Sequence, residues 1–202
     1  MKGICIFGAS SQKAPDIYKE AAKDTGIQIV KSGFSLVFGA GGHGLMGAAA
    51  QGAAQEGGKI IGVIPEKLNL PGIASSLCTE VIVTPTMHVR KQTMENLSCG
   101  FIALAGGFGT LEELLEVITL KQLGYIDLPI VVLNTNHYYD NLIEMFNRCV
   151  KDNFTNEKYL GLIYVAETPE QAVDYIKNYS HSEMPNKMLE VLKSMKSNTE
   201  SI

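Results

Sequence analysis

The chain has 202 residues, 46% hydrophobic and 19% charged. This is the size and make-up of one ordinary globular domain, able to bury a full core without disulfides or metals, and it excludes wholesale disorder. Lys and Arg number 17 against 21 Asp and Glu, a formal charge of −4, so no overall basic field exists to hold nucleic acid.

Short, nearly continuous apolar runs alternate with longer helical patterns along the chain. Residues 4–7 read as a strand, followed by the turn Gly8-Ala9-Ser10-Ser11 and a helix over 16–32. Residues 35–38 read as the next strand, followed by a glycine-rich stretch over 39–47 and a helix over 45–56. Strands over 59–64 and 80–83 follow, then Met87-His88-Val89-Arg90-Lys91 and a helix over 89–97. A strand over 101–105 leads through Gly106-Gly107-Phe108-Gly109-Thr110 into a helix over 111–123, with Leu111, Leu114, Leu115 and Ile118 directed at a sheet. Strands over 129–133 and 162–165, with helices over 140–152 and 169–179, complete the pattern. Continuous apolar strands alternating with helices imply right-handed βαβ crossovers. The fold expected is a three-layer, Rossmann-like, doubly wound α/β domain with a mainly parallel sheet, spanning 1–180. The more polar tail, 181–202, reads as one further helix over 185–196 with a frayed end.

Several function classes fall away. Cys5, Cys78, Cys99 and Cys149 are widely spaced with no CxxC pair, which fits a reducing compartment and neither a zinc finger nor a disulfide scaffold. His43, His88, His137 and His181 form no metal-ligating spacing, so no metal is expected. The first apolar run is too short for a signal peptide, and no stretch reaches a membrane span. The expectation is a soluble cytoplasmic protein with no membrane partner.

In a doubly wound fold ligands bind beyond the carboxyl ends of the strands, which directs attention to four segments. Ser10 and Ser11 in the first turn suit either a ligand or helix capping. Residues 39–44 match GxGxxG, but in the second βαβ unit and without a convincing ribose-binding acid, which argues against a dinucleotide site. Half of the 20 glycines lie between Gly33 and Gly62, where backbone must approach a ligand or a packed helix. Arg90 and Lys91 are adjacent cations near a helix start, a placement the helix dipole opposes unless an anion is close. The loop 106–110 enters a helix N-terminus, the geometry of a phosphate cradle, though it lacks the Lys-Ser/Thr pair of a Walker loop. Thr110-x-x-Glu113 also reads as a capping box. A carboxylate beside a phosphate site is otherwise repelled, unless it serves the sugar or an attacking water.

Met87-His88-x-Arg90-Lys91 together with Gly106-Gly107-x-Gly109-Thr110-x-x-Glu113 resembles the LOG ("Lonely guy") family, whose motifs are MHxRK and PGGxGTxxE. The similarity runs from the turn at Gly8 to about Asn147, and includes 39–47, Gly62-Val63-Ile64-Pro65, Gln122-Leu123-Gly124 and Tyr138-Tyr139. Ala105 stands where the family has proline, Cys99 where it has Asp, and Leu120 where it has Trp.

The resemblance implies hydrolysis of the N-glycosidic bond of a nucleoside 5′-monophosphate, giving a free base, often an N6-modified adenine, and ribose 5-phosphate. It implies catalytic roles for Arg90 and Glu113. It implies a substrate site of Gly8, Ser11, Met87, Arg90, Lys91, Gly106, Gly107, Phe108, Gly109, Thr110, Leu111, Glu112 and Thr119, the loop taking the 5′-phosphate. Glu112 and Thr119 are two helical turns apart, so both can face one pocket. No cofactor is implied, and a pyridoxal-dependent lysine decarboxylase is disfavoured for want of a matching cofactor site. The partner implied is a second copy of the chain, as a homodimer or larger homo-oligomer. A non-catalytic nucleotide or molybdenum-cofactor carrier, and a broad nucleoside-monophosphate nucleosidase, are the competing readings.

Overall fold

A computed structural model describes residues 2–180 and Lys187. The helix expected over 185–196 lies outside the described residues, Lys187 apart. Among the described residues, seven strands run in chain order as β1 (Gly3–Phe7), β2 (Ser35–Phe38), β3 (Ile60–Pro65), β4 (Glu80–Thr84), β5 (Ser98–Ala103), β6 (Ile130–Leu133) and β7 (Tyr164–Ala166). Among residues 2–180, α-helices lie between and after them: α1 (Asp16–Lys31), α2 (Gly44–Gln55), α3 (Met87–Asn96), α4 (Phe108–Leu123), α5 (Asp140–Lys151) and α6 (Pro169–Lys177).

The strands form one sheet in the order β4-β3-β2-β1-β5-β6-β7, and every neighbouring pair is parallel. Parallel strands need crossovers, and the helices supply them on both faces. Alternation along β1 divides the core: Ile4 and Ile6 pack with α1, α2 and α6, whereas Cys5 and Phe7 pack with α3, α4 and α5. The three-layer, doubly wound arrangement is therefore the one read from the sequence.

Boundaries shift where glycines obscure the pattern. β5 starts at Ser98, three residues early, because Gly3 of β1 pairs with Ser98. α4 starts at Phe108 rather than Leu111. Its core stripe is Leu114 and Val117, with Leu111 and Ile118 partly buried beside them, while Leu115 faces outward at 42% exposure. The expectation that Leu115 faces the sheet is thus corrected: two successive leucines diverge by 100° around a helix, and Leu114 takes the core.

Small residues let α1 and α2 lie almost backbone to backbone. A Cβ at Gly26 would collide with the Ala49 carbonyl of α2, and one at Gly52 with the Lys23 carbonyl of α1. Gly26→Val therefore forces the two helices apart, and a loss of about 1–3 kcal/mol is expected from overpacking. Urea denaturation measures it; a variant as stable as the wild type contradicts this packing.

Candidate functional site

The carboxyl ends of β1, β2, β3 and β5 open onto a cleft of about 750 Å³. Strand order reverses between β1 and β5, so the cleft lies where doubly wound folds bind ligands. Gly8, Ser11, Met87, Arg90, Gly107, Gly109, Thr110, Glu112 and Glu113 line it. Lys91, Gly106, Phe108, Leu111 and Thr119 do not, though several support it.

Backbone hydrogen bonds tie the glycine segments into one floor. Ala9 N–H donates to the Ala105 carbonyl at 3.1 Å, and the Ala9 carbonyl accepts from Leu45 N–H at 2.8 Å. The Ser11 hydroxyl lines the cleft and also accepts from Lys13 N–H at 3.3 Å, so it serves its turn as well. Ala40, just after β2, is a left-handed non-glycine at φ 63°, a conformation costing roughly 1–2 kcal/mol. Its carbonyl is pinned by Ser75 N–H at 2.8 Å.

The start of α4 overturns the capping-box reading. Gly107 is the N-cap, with no side-chain cap bond and no acidic residue in the first turn. Thr110 lies inside the helix, 4% exposed, with its side chain packed against Gly106. The first-turn N–H groups of Phe108, Gly109 and Thr110 consequently have no intrahelical acceptor, and with the helix dipole they suit an anion. Glu113 belongs to the second turn and reaches sideways instead of back to the cap. Two tyrosines that the sequence reading gave no role brace this loop: Tyr138 donates to the Gly106 carbonyl at 2.7 Å and Tyr139 to the Leu104 carbonyl at 2.6 Å.

Thr86 caps α3 by accepting from Val89 N–H at 3.2 Å, which sets Arg90 one turn in. Arg90 Nε donates to the Val63 carbonyl at 3.1 Å, and Nη1 meets Met87 Sδ at 3.1 Å. Nη1 also lies 3.3 Å from Glu113 Oε1, and the two side chains are 12% and 13% exposed. Burial pushes the Glu113 carboxyl up to about 7. Arg90 pulls in the opposite direction without offsetting that cost, and Glu112 adds to the rise.

Lys91 turns the other way. It pairs with Glu112 and, at 2.8 Å, with Glu116, and is only 8% exposed. Burial disfavours its charge, the two carboxylates outweigh that, and its pKa is raised. Lys91 therefore fixes Glu112, which does line the cleft, rather than lining it directly. Thr119 donates to the Leu115 carbonyl at 2.8 Å. With Phe108, Leu111 and Leu115 it borders a separate apolar groove on the outer face of α4, where Phe108 is 94% exposed. Within one chain, Glu112 and Thr119 share that groove but not the cleft.

The fold and this cleft define a doubly wound α/β protein with an anion-receptive helix start beside a buried Arg–Glu pair. The family model described as "Possible lysine decarboxylase" matches residues 46–176. A probable cytokinin riboside 5′-monophosphate phosphoribohydrolase of Oryza sativa subsp. japonica is 38% identical over 187 residues, 92% of this chain and 77% of the relative. A cytokinin riboside 5′-monophosphate phosphoribohydrolase of Arabidopsis thaliana is 40% identical over 177 residues, covering 88% and 82%. The chain belongs to this family, the LOG family. Among solved structures, the molybdenum cofactor carrier protein of Chlamydomonas reinhardtii superposes with a TM-score of 0.66 at 26% identity over 88% of this chain and 96% of that one. The molybdenum cofactor binding protein of Rippkaea orientalis, at 24% identity and a TM-score of 0.66 over 88% and 96%, shares the fold.

A raised Glu113 pKa makes folding depend on pH in one direction. The unfolded chain loses this proton near 4.5 and the folded chain near 7, so between those values the folded state holds more protons and stability falls as pH rises. Glu113→Gln removes that contribution. Urea denaturation across this window should show the wild type losing stability relative to Glu113→Gln; parallel curves contradict the raised value.

Proposed function

We propose that the protein hydrolyses the N-glycosidic bond of an AMP-like nucleoside 5′-monophosphate, including N6-modified adenines, to give the free base and ribose 5-phosphate. The buried Arg90–Glu113 pair beside the open start of α4 carries this reading. The relatives named for that reaction on cytokinin riboside 5′-monophosphates support it.

The 5′-phosphate sits on the N–H groups of the first turn of α4, where the dipole favours its charge. The ribose then lies toward Glu113 on the next turn. Water supplies the oxygen that bonds to C1′, and the C1′–N bond breaks with its electron pair passing to the base, which takes up a proton. Positive charge builds on the sugar in the transition state, and the Glu113 carboxylate stabilises it. A carboxyl titrating near 7 also suits removal of a proton from the attacking water. Arg90 bonds through Nε and Nη1, and Nη2 donates to no described residue, so its N–H groups serve the phosphate or the departing base. Met46, Ile64, Pro65 and Ile73 give the rest of the cleft an apolar wall that suits a base.

The assembly belongs to the same proposal. Met87 and Val89 on α3, and Phe108 and Leu115 on α4, are all exposed apolar residues. A second copy of the chain covering this side would bury them and close the groove bordered by Thr119.

The protein incubated with AMP and with N6-isopentenyl-AMP should release free base, read by chromatography. A folded Glu113→Ala variant should lose about 10²–10³-fold in kcat; wild-type turnover in that variant removes Glu113 from the mechanism. Nucleotide binding with no release by the wild type would instead favour a carrier. Sedimentation should show a dimer or larger species that Leu115→Asp dissociates, and a monomeric wild type rejects the assembly.

A further inference from the structure

We propose that Gly39 is a positioning residue for Arg90: the missing side chain at the end of β2 is the seat that holds the guanidinium against Glu113. The inference rests on the hydrolase reading for its kinetic consequence, but not for the seating itself.

Arg90 leaves α3 and crosses to the carboxyl ends of β3 and β2. The Val63 carbonyl holds Nε, while Met87 Sδ and Glu113 hold Nη1. The remaining nitrogen, Nη2, rests on Gly39. A Cβ built there would overlap Nη2 outright and stand 3.0 Å from Cζ and 3.5 Å from Nε, and these three nearest atoms all belong to Arg90. Gly39 is not one of the positive-φ glycines, so its backbone admits an L side chain. Gly44, five residues on, differs: its φ is 61° and a Cβ there would strike the backbone of Ala9 and Ser10. The glycine at 39 thus answers to one side chain, and to the free end of it.

That distinction separates function from stability. A methyl at 39 meets a movable guanidinium rather than fixed backbone, so the fold need not shift. The guanidinium must swing, however, and cannot keep both the Val63 carbonyl and Glu113 while doing so. Displacing a reacting group by about 1 Å costs on the order of 10²-fold in rate.

Two measurements on Gly39→Ala decide the matter. The first is the Glu113 titration, followed by carboxyl-carbon NMR on the wild type and the variant. Glu113 faces Arg90 and Lys91 from α3, Glu112 and Glu116 on its own helix, and Cys5 from β1, and of these Arg90 does most to lower its pKa. Moving Arg90 away should raise the Glu113 titration further in Gly39→Ala, with melting close to wild type; an unchanged titration, or failure to fold, overturns the seating. The second is a double-mutant cycle on base release with Arg90→Lys, which lacks Nη2. Gly39→Ala should lower kcat about 10²-fold in the wild type, with less than about a threefold effect in the Arg90→Lys background, because the two act through one group. Equal losses in both backgrounds overturn it. Absence of base release from the wild type defeats the hydrolase reading alone, and the titration still decides the seating.

Discussion

A carboxyl group held out of water beside a single guanidinium is the constraint around which the cleft is organised. Burying Glu113 disfavours its charge, and one contact at 3.3 Å to Arg90 offsets only part of that cost, which leaves its pKa at about 7. Such a group keeps its place only if its partner is fixed from several sides. Arg90 is fixed by the Val63 carbonyl at the end of β3, by Met87 one turn earlier on its own helix, and by the bare backbone of Gly39. The ends of two strands and the start of one helix therefore converge on one guanidinium.

The neighbouring charges are sorted so as not to interfere. Lys91 is next to Arg90 in sequence but pairs with Glu112 and Glu116. Two cations and three carboxylates thereby divide into two groups, Arg90 with Glu113 and Lys91 with Glu112 and Glu116. The first turn of α4 carries no acidic residue and no side-chain cap, so its N–H groups stay open to an anion while the carboxylates lie one turn further along. Tyr138 and Tyr139, arriving from the far side of β6, hold the carbonyls of the approach loop and keep those N–H groups aimed.

Much of this was legible in the residues. The apolar runs that became β1, β2 and β6 are continuous because both faces of a parallel sheet are covered, and their alternation with helices defines a doubly wound fold. The order of the Met87–Lys91 and Gly106–Glu113 motifs pointed to the cleft. The start of α4 was less legible. Phe108 and Gly109 look like loop by propensity, and Thr110 with Glu113 has the spacing of a capping box, so the helix read three residues short. Tertiary packing overrode the local signal: Thr110 fits against Gly106, and Glu113 finds Arg90 instead of its own cap.

The sequence by itself determined a mainly parallel sheet with alternating helices and the segments that follow its strand ends, because hydrophobic periodicity and glycine placement act over short stretches of chain. Only the tertiary structure decided which cation faces which carboxylate. Arg90 and Lys91 are adjacent, as are Glu112 and Glu113, and nothing along the chain distinguishes one pairing from the other. The placement of α3 near α4, and the bare surface at Gly39, bring Arg90 to Glu113 and leave Lys91 to Glu112 and Glu116. Coulomb attraction acts through space, over distances that sequence separation does not record.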